Sequence, residues 1–122
     1  MRILVTGSLG MLGANLITKL SKSHKVFSTD CEKLNVLNQN YMFFDLQNDK
    51  YDDLIEWSKP DVIIHCAAIT NGNYCQKNPY KSFSVNGYSL KKFIDSTKST
   101  VKIIYISTDA VFSSSTSYPT EI

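Results

Sequence analysis

Three glycines near the start of the chain, Gly7, Gly10 and Gly13, have a spacing that could serve a chemical function. The apolar run before Gly7 predicts a buried strand, and apolar residues recur at helical spacing over residues 12–20. A strand that turns tightly into a helix offers free N–H groups and the positive end of the helix dipole to a pyrophosphate. Gly7 would permit the turn, Gly10 would let a ligand approach the backbone, and Gly13 would let the helix lie close to the strand.

The alternative is a glycine-rich turn that binds nothing, because any tight strand-to-helix turn favours glycine. The spacing here is G-x-x-G-x-x-G, which differs from the general G-x-G-x-x-G fingerprint of dinucleotide-binding domains. The glycines therefore need support from other parts of the sequence.

A carboxylate, Asp30, ends the second predicted strand and provides such support. It lies about 20 residues beyond the glycine turn, where a Rossmann unit places the acid that binds the ribose hydroxyls of adenosine. A carboxylate there accepts hydrogen bonds from both hydroxyls and repels a 2′-phosphate, so the sequence favours NAD over NADP. Lys33 lies close enough in sequence to weaken that preference. The alternative is that Asp30 only begins a solvated loop.

Small or polar residues end the later predicted strands as well. Ala67 and Ala68 follow an apolar strand, where small side chains leave room for a planar cofactor. Asp45 closes the third strand, and Ser107 and Thr108 close the last one. Because the carboxyl ends of parallel strands meet at one edge of a sheet, we expect these residues to lie near the glycine turn.

The histidine within the fourth strand and the three cysteines are predicted to be structural. His65 lies in an apolar run with no carboxylate partner visible in the sequence, which favours a hydrogen-bonded core or supporting histidine over a catalytic base. Cys31, Cys66 and Cys75 are odd in number and lack metal-ligand spacing. We therefore expect reduced thiols, no metal site and a cytoplasmic protein.

Strand and helix patterns alternate along the chain. The predicted strands cover residues 2–7, 25–30, 41–46, 61–68 and 101–108, and the predicted helices cover residues 12–20, 50–58 and 78–96. Asn78 is predicted to cap the last helix, with Pro79 in its first turn. The apolar side of that helix would consist of Phe83, Val85, Leu90, Phe93 and Ile94. We predict an α/β fold, a doubly wound, Rossmann-like parallel sheet of about five strands, in one domain of residues 1–122.

Composition argues against several classes of function. The chain has 122 residues, which suits one domain, and its formal net charge of +2 comes without a basic cluster. We therefore expect binding neither to nucleic acid nor to a membrane surface. No apolar run approaches the ~20 residues of a membrane span. The first strand begins at the N-terminus, which leaves no room for a signal peptide.

The motifs together resemble the extended short-chain dehydrogenase/reductase family over essentially the whole chain. The resemblance rests on Val5-Thr-Gly-x-x-Gly-x-x-Gly13, Asp30, Asp45-Leu46, Asp61-Val-Ile-Ile-His-Cys-Ala-Ala68 and Ile106-Ser-Thr-Asp-x-Val-Phe112. Within this family, the last motif is most similar to that of the dTDP-4-dehydrorhamnose reductase branch. The resemblance implies reduction of the 4-keto group of a dTDP-6-deoxy sugar, a step of dTDP-rhamnose biosynthesis, with NAD or NADP as cofactor.

The resemblance also implies which residues bind the cofactor. The glycine turn would contact the pyrophosphate, Asp30 the adenosine ribose, the pair at 45–46 the adenine, and the residues at 66–68 the nicotinamide side. The complete set is Gly7, Leu9, Gly10, Met11, Leu12, Gly13, Asp30, Asp45, Leu46, Cys66, Ala67 and Ala68.

Thr108 is the catalytic residue that the resemblance implies, as a hydrogen-bond donor to the substrate oxygen. Asn86 matches a helix asparagine that relatives use structurally near the active site, and the alternative is an ordinary solvated residue. The family's Tyr-x-x-x-Lys pair, which supplies the proton donor, would lie downstream of the fifth strand, and the sequence stops at Ile122 before reaching it. Tyr88 and Lys92 match that spacing, but they precede the fifth strand and are predicted to be structural.

Three functions remain open at this point. The main hypothesis is the N-terminal dinucleotide-binding part of a reductase of nucleotide-linked 4-keto-6-deoxy sugars, in a chain cut short. A sugar-nucleotide epimerase or dehydratase of the same family is the second. A non-catalytic nucleotide-binding or regulatory subunit is the third, because Gly72, Asn73, Gln76 and Ala110 depart from the family's usual residues. The expected partner is a nucleotide sugar, and a homodimer is left open.

Overall fold

The structure is a computed structural model that describes residues 1–35 and 38–107. Its strands are β1 (Arg2–Thr6), β2 (Lys25–Asp30), β3 (Tyr41–Phe43), β4 (Val62–His65) and β5 (Lys102–Tyr105). Its helices are α1 (Met11–Leu20), α2 (Tyr51–Ser58), α3 (Gly72–Lys77), α4 (Pro79–Phe83) and α5 (Ser89–Ser96). A π-helical turn, Ser84–Tyr88, joins α4 to α5.

The strands in the described ranges form one sheet in the order β3-β2-β1-β4-β5, and every pairing is parallel. The chain winds outwards from β1 through β2 to β3 and then crosses to the other side of β1 for β4 and β5. The predicted doubly wound, Rossmann-like α/β fold is thereby confirmed. The winding reverses between β1 and β4, whose last residues, Thr6 and His65, are register partners. Ligands of doubly wound sheets bind at such a reversal.

Alternate residues of β1 pack into two apolar layers on opposite faces of the sheet. Leu4 faces the layer that includes Leu54 of α2 and Phe93 of α5, both completely buried. Ile3 and Val5 face the other layer. α1 covers that second layer with Leu16, Ile17 and Leu20. The helices on both faces leave the carboxyl ends of β1 and β4 as the edge where a site can form.

Four strands are shorter than predicted, and β1 among them differs only in ending one residue earlier, at Thr6. β3 has three residues, all paired with β2, although Phe44 and Leu46 beyond it are still buried. β4 ends at His65 because the N–H groups of Cys66 and Ala67 donate to the side-chain hydroxyl of Thr6 and not to the backbone carbonyls of a neighbouring strand. Pairing of β5 with β4 ends at residue 105.

The helix predicted for residues 78–96 is divided by the π-helical turn. Asn78 occupies the N-cap position and Pro79 lies in the first turn, as predicted. The Asn78 side chain makes no capping bond, because its amide donates to the Tyr74 carbonyl at the end of α3. The predicted apolar side is wrong for Phe83 and Ile94, which are 64% and 55% exposed. A π-helical turn changes the rotation between the helices on either side of it, so these residues do not share one buried face.

α3 lies in a segment for which the sequence predicted no element. Asn71 Oδ1 accepts a hydrogen bond from Tyr74 N–H at 3.0 Å and so caps the helix. None of the α3 side chains is buried, and the segment has no apolar periodicity. The cap residue is therefore the one local signal that could have predicted α3.

Candidate functional site

A cleft of about 880 Å³ lies at the carboxyl ends of β1 and β4, where the winding of the sheet reverses. This volume is in the range of small-molecule and cofactor sites. The residues predicted from sequence to bind a cofactor all line the cleft, with the exception of Leu9. Those in the lining are Gly7, Gly10, Met11, Leu12, Gly13, Asp30, Asp45, Leu46, Cys66, Ala67 and Ala68.

The glycine turn on one side of this cleft is closed by its own backbone. Gly7 has a φ of 65°, in the left-handed region that favours glycine, and its carbonyl oxygen accepts a hydrogen bond from Gly10 N–H at 3.1 Å. A Cβ on Gly13 would lie 2.2 Å from that oxygen, and a Cβ on Gly7 would lie 2.7 Å from the backbone nitrogen of Ala67. Gly13 therefore makes room for the turn, and Gly7 makes room for the segment that follows β4.

The first turn of α1 faces the cleft with backbone N–H groups that no side chain caps. Gly10 is the N-cap and no acidic residue lies in the first turn. Met11 and Leu12 line the cleft and are 86% and 45% exposed. The first N–H groups of a helix have no intrahelical acceptor, and the helix dipole adds a positive potential there. This end of the cleft is therefore suited to an anion.

Asp30 supports the glycine turn and keeps acceptor capacity for a ligand. Its Oδ2 accepts a hydrogen bond from Leu9 N–H at 2.9 Å, and its Oδ1 accepts one from Cys31 N–H at 2.7 Å. The Leu9 N–H group is thus used by Asp30 and is not free for a ligand. Each carboxylate oxygen has a second lone pair, so both can also accept hydrogen bonds from hydroxyl groups. Lys33 lies nearby over the Phe43 ring, with Nζ 5.6 Å from the ring centroid.

Asp45 lines the cleft but is also bound within its own turn. Its Oδ1 accepts from Gln47 N–H and its Oδ2 accepts from the Asn48 side-chain amide, both at 2.9 Å. The Asn48 amide lowers the pKa of Asp45, and backbone N–H groups and the charge of Lys81 add to this lowering against the opposing effect of burial. Asp45 is therefore an ionised acceptor at neutral pH.

The floor of the cleft is held by a chain of hydrogen bonds through His65. The ring is 1% exposed, with Nδ1 2.6 Å from Thr6 Oγ1 and Nε2 2.9 Å from Ser89 Oγ. Ser89 donates its hydroxyl to the Val85 carbonyl, so it must accept from His65 Nε2–H, and Nδ1 must accept from Thr6. The tautomer is assigned from these partners.

The same hydrogen bonds determine the charge of His65 and hold residues 66–68, which form the floor of the cleft. Burial lowers the pKa of His65 to about 4, so the ring is neutral at neutral pH. Thr6 Oγ1, whose proton is used by the ring, accepts the N–H groups of Cys66 and Ala67 at 3.1 and 3.2 Å. The expectation that His65 is a hydrogen-bonded core histidine is confirmed.

Asn86 connects the π-helical turn to the segment that lines the cleft after β4. Its Oδ1 accepts from Ile69 N–H at 2.7 Å, and its Nδ2 donates to the Ile69 carbonyl at 2.9 Å. The Asn86 carbonyl in turn accepts from Tyr105 of β5 at 2.6 Å. Asn86 is therefore a structural residue beside the cleft, as the resemblance implied, and not a solvated one.

Several residues singled out in the sequence lie away from the cleft or outside the described part of the chain. Thr108 and Ala110 are outside the described residues, and Ser107 just before them is exposed. Tyr88 and Lys92 do not line the cleft, and Lys92 Nζ lies 5.4 Å from the centroids of both the Tyr88 and Tyr51 rings. Gly72, Asn73 and Gln76 are exposed on α3.

Sequence reasoning missed a group of cleft residues from strand ends and from the α3–α4 region. They are Thr6, Thr29, Cys31, Phe43, Phe44, Ile69, Thr70, Tyr74, Lys81 and Val85. The threonines and phenylalanines adjoin predicted strand ends, which was an available signal. Tyr74 and Lys81 had none, because α3 and the orientation of α4 were not predicted. Within residues 1–35 and 38–107, no group of side chains could hold a metal ion and no helix could span a membrane.

The parallel sheet, the glycine turn and the acid at the end of β2 define a Rossmann-like domain of the extended short-chain dehydrogenase/reductase class. Within that class, the chain belongs to the family described as the RmlD substrate binding domain, whose sequence profile matches residues 1–121.

Two of the curated relatives carry names of nucleotide-sugar enzymes. The chain is 30% identical to the dTDP-D-glucose 4,6-dehydratase of Dictyostelium discoideum, over 93% of this chain and 30% of the relative. It is 28% identical to the dTDP-4-dehydrorhamnose reductase of Aggregatibacter actinomycetemcomitans, over 91% of this chain and 36% of the relative. The chain thus spans about a third of the length of these relatives.

Solved structures share the fold. A hypothetical dTDP-4-dehydrorhamnose reductase from Sulfolobus tokodaii is 31% identical and superimposes with a TM-score of 0.84, over 99% of this chain and 44% of that one. The UDP-glucose 4-epimerase of Thermus thermophilus, described in complex with NAD, is 24% identical with a TM-score of 0.66, over 79% of this chain and 33% of that one. The second likeness concerns the fold alone.

Proposed function

We propose that this chain binds NAD(H), in preference to NADP(H), in the cleft between the glycine turn and the segment after β4. The observation that carries the proposal is the convergence of the glycine turn, Asp30 and the small residues Ala67 and Ala68 on one cleft at the reversal of the sheet. These groups come from three separate strand ends, so a turn that merely favours glycine does not account for them together.

The residues present fit a dinucleotide. The uncapped start of α1, where Gly10 carries no side chain, suits a pyrophosphate, and the carboxylate of Asp30 suits ribose hydroxyls. Asp45 and Leu46 would lie at the adenine, and the floor at residues 66–68 would lie beside the nicotinamide. The nicotinamide supplies or accepts a hydride when bound. His65 contributes by holding the floor through Thr6 rather than by moving a proton.

The substrate that we propose for the whole protein is a nucleotide-linked 4-keto-6-deoxy sugar, reduced at its keto group. The supports are the Ser107-Thr-Asp-x-Val-Phe112 motif and the relatives named as dTDP-4-dehydrorhamnose reductases. Thr108 would donate a hydrogen bond to the substrate oxygen. The odd, unpaired cysteines support a reducing, cytoplasmic location.

An epimerase or dehydratase of nucleotide sugars is the second candidate function. It is favoured by the 30% identity to a dTDP-D-glucose 4,6-dehydratase. Incubation of the protein with a dTDP-4-keto-6-deoxy sugar and NADH separates the two, because a reductase consumes NADH stoichiometrically. An epimerase or dehydratase would convert a nucleotide sugar with no net consumption of the nicotinamide.

Calorimetric titration of the chain with NADH and with NADPH tests the cofactor proposal. We expect tighter binding of NADH, and in Asp30→Asn we expect NADH to bind about tenfold more weakly, because a charge-assisted acceptor is lost. Asp53→Asn, on the exposed side of α2, is the matched control and should bind as the unmodified chain does. A folded chain that binds neither nucleotide would contradict the proposal.

A further inference from the structure

The charged side chains that line the cleft are two acids and one base. Among the described lining residues these are Asp30, Asp45 and Lys81. A dinucleotide brings a negative charge on each of its two bridging phosphoryl groups. Two fixed carboxylates therefore oppose the binding of that anion, and the backbone dipoles at the start of α1 supply partial positive charge only. A full positive charge would offset the acids, and among the described lining residues Lys81 carries one.

Lys81 is an exposed residue on the wall of the cleft. It lies on α4, one helical turn before Val85, and both residues line the cleft. Val85 also packs against the buried layer that includes Phe93, which fixes the rotation of this helical face. The apolar stem of a lysine can lie along such a face while its ammonium group reaches the ligand.

The Lys81 ammonium group has no competing carboxylate partner among the described residues. The ion pairs found there join Lys59 to Glu56 and Lys91 to Asp95. The positive charge of Lys81 nevertheless acts within the cleft, because it adds to the lowering of the Asp45 pKa that the Asn48 amide produces. Lys81 is therefore an exposed cation that lies close enough to Asp45 to act on its charge.

We propose that Lys81 Nζ binds the pyrophosphate of the dinucleotide, together with the backbone N–H groups of the first turn of α1. This inference rests on the proposed function and adds a cationic residue to it. Lysine ammonium groups bind phosphate as compact point charges with three donors, so one residue on a short helix is enough for the role. The site would then take its donors from two separate elements, α1 and α4.

This role of Lys81 predicts that the loss of affinity in a variant depends on whether the ligand contains the pyrophosphate. NADH and ADP-ribose contain the pyrophosphate, whereas adenosine contains neither phosphoryl group. If Lys81 acts on the pyrophosphate, its removal weakens the first two ligands and leaves adenosine unaffected. The affinity for NADH should also depend less steeply on salt concentration once the charge is gone, because screening acts on charge pairs.

Calorimetric titration of Lys81→Met with NADH, ADP-ribose and adenosine tests the proposal. Methionine keeps the apolar stem and removes the charge. Lys77→Met, at the exposed end of α3 and outside the cleft lining, is the matched control. We expect about tenfold weaker binding of NADH and ADP-ribose to Lys81→Met, with adenosine binding and the control variant unchanged.

The contrary outcomes separate this inference from the proposed function. Equal binding of NADH to Lys81→Met and to the unmodified chain would overturn the role of Lys81 while leaving the NAD(H) site intact. Equal weakening of adenosine and ADP-ribose would also overturn it, because the effect would then lie elsewhere than at the pyrophosphate. Failure of the unmodified, folded chain to bind NADH would remove the proposed function and this inference together.

Discussion

At Gly13, the space normally taken by a Cβ is filled by the carbonyl group of Gly7. Gly13 is therefore required because it has no side chain. Its substitution by alanine should destabilise the fold, whereas substitution of a glycine with open space around it should not. Gly72 provides the comparison, because a Cβ built there meets nothing within 4 Å.

Gly13→Ala should destabilise the chain by about 1–3 kcal/mol, since a Cβ 2.2 Å from a backbone oxygen forces the turn to move. This cost exceeds the gain of about 1 kcal/mol that alanine normally brings to a helix. Gly72→Ala has no such clash and should leave the free energy of unfolding unchanged or raise it by about 0.5 kcal/mol. Urea unfolding measures both, and equal stabilities of the two variants would refute the account of the glycine turn.

His65 links stability to pH because only its neutral ring can both accept a hydrogen bond from Thr6 and donate one to Ser89. Burial lowers its pKa to about 4, against 6.5 for an unperturbed histidine. Between these values the unfolded chain binds the proton and the folded chain does not. Stability must therefore fall as the pH falls through this window, and the loss is complete below about pH 4.

We expect His65 to reduce the free energy of unfolding by about 3 kcal/mol between neutral pH and pH 4. Because carboxylates also titrate near the lower limit, the informative quantity is the difference in slope between the unmodified chain and His65→Gln. The variant lacks the titrating ring and should show a flatter profile, whatever its absolute stability. Identical slopes in urea unfolding across this pH range would show that His65 is not the linked group.

Among the elements, the helical run from α4 to α5 does more than cover the sheet. Its π-helical turn presents Asn86 to both backbone groups of Ile69 and directs the Asn86 carbonyl to the Tyr105 hydroxyl. One irregular turn thus joins the cleft segment after β4 to the edge strand β5. π-Helical turns are often found at functional sites for this kind of reason, since they redirect side chains within a helix.

Asn86→Ala should cost about 1–3 kcal/mol of stability, because the Ile69 N–H and carbonyl groups lose their partners. It should also weaken NADH binding, because Ile69 lines the cleft. Asn73→Ala, on the exposed side of α3, is the control and should change stability by less than about 0.5 kcal/mol. Unfolding and NADH titration of both variants measure the effects. Equal stability and equal NADH affinity of the two variants would argue against a role for the hydrogen bonds between Asn86 and Ile69.

For the molecule as a whole, the sheet and one side of the cleft were predictable from local patterns. Gly7, Asp30 and Ala67 follow strands with strong apolar signals, and parallel strand ends necessarily meet at one edge. The family resemblance then assigned roles to these residues. All but Leu9 of the predicted cofactor-binding residues line the cleft, and the Leu9 N–H group donates to Asp30.

The other side of the cleft could not be predicted, since it depends on long-range packing. Whether Lys81 faces the cleft depends on the rotation of α4, which the π-helical turn and the burial of Val85 determine together. The same rotation leaves Phe83 exposed although the apolar spacing placed it with Phe93. Helical periodicity assumes an uninterrupted helix, so it fails at the turn.

The contact of Gly7 with Ala67 determines where the cleft can change shape. The Ala67 backbone occupies the space that a side chain on Gly7 would need, and the Thr6 hydroxyl accepts hydrogen bonds from the N–H groups of Cys66 and Ala67. The floor therefore cannot hinge between β1 and β4 without breaking a closed set of hydrogen bonds. Adjustment to a bound molecule must come from the outer walls, where Met11 and Lys81 are exposed and α3 has no buried side chain. The cleft therefore combines a hydrogen-bonded base with exposed walls.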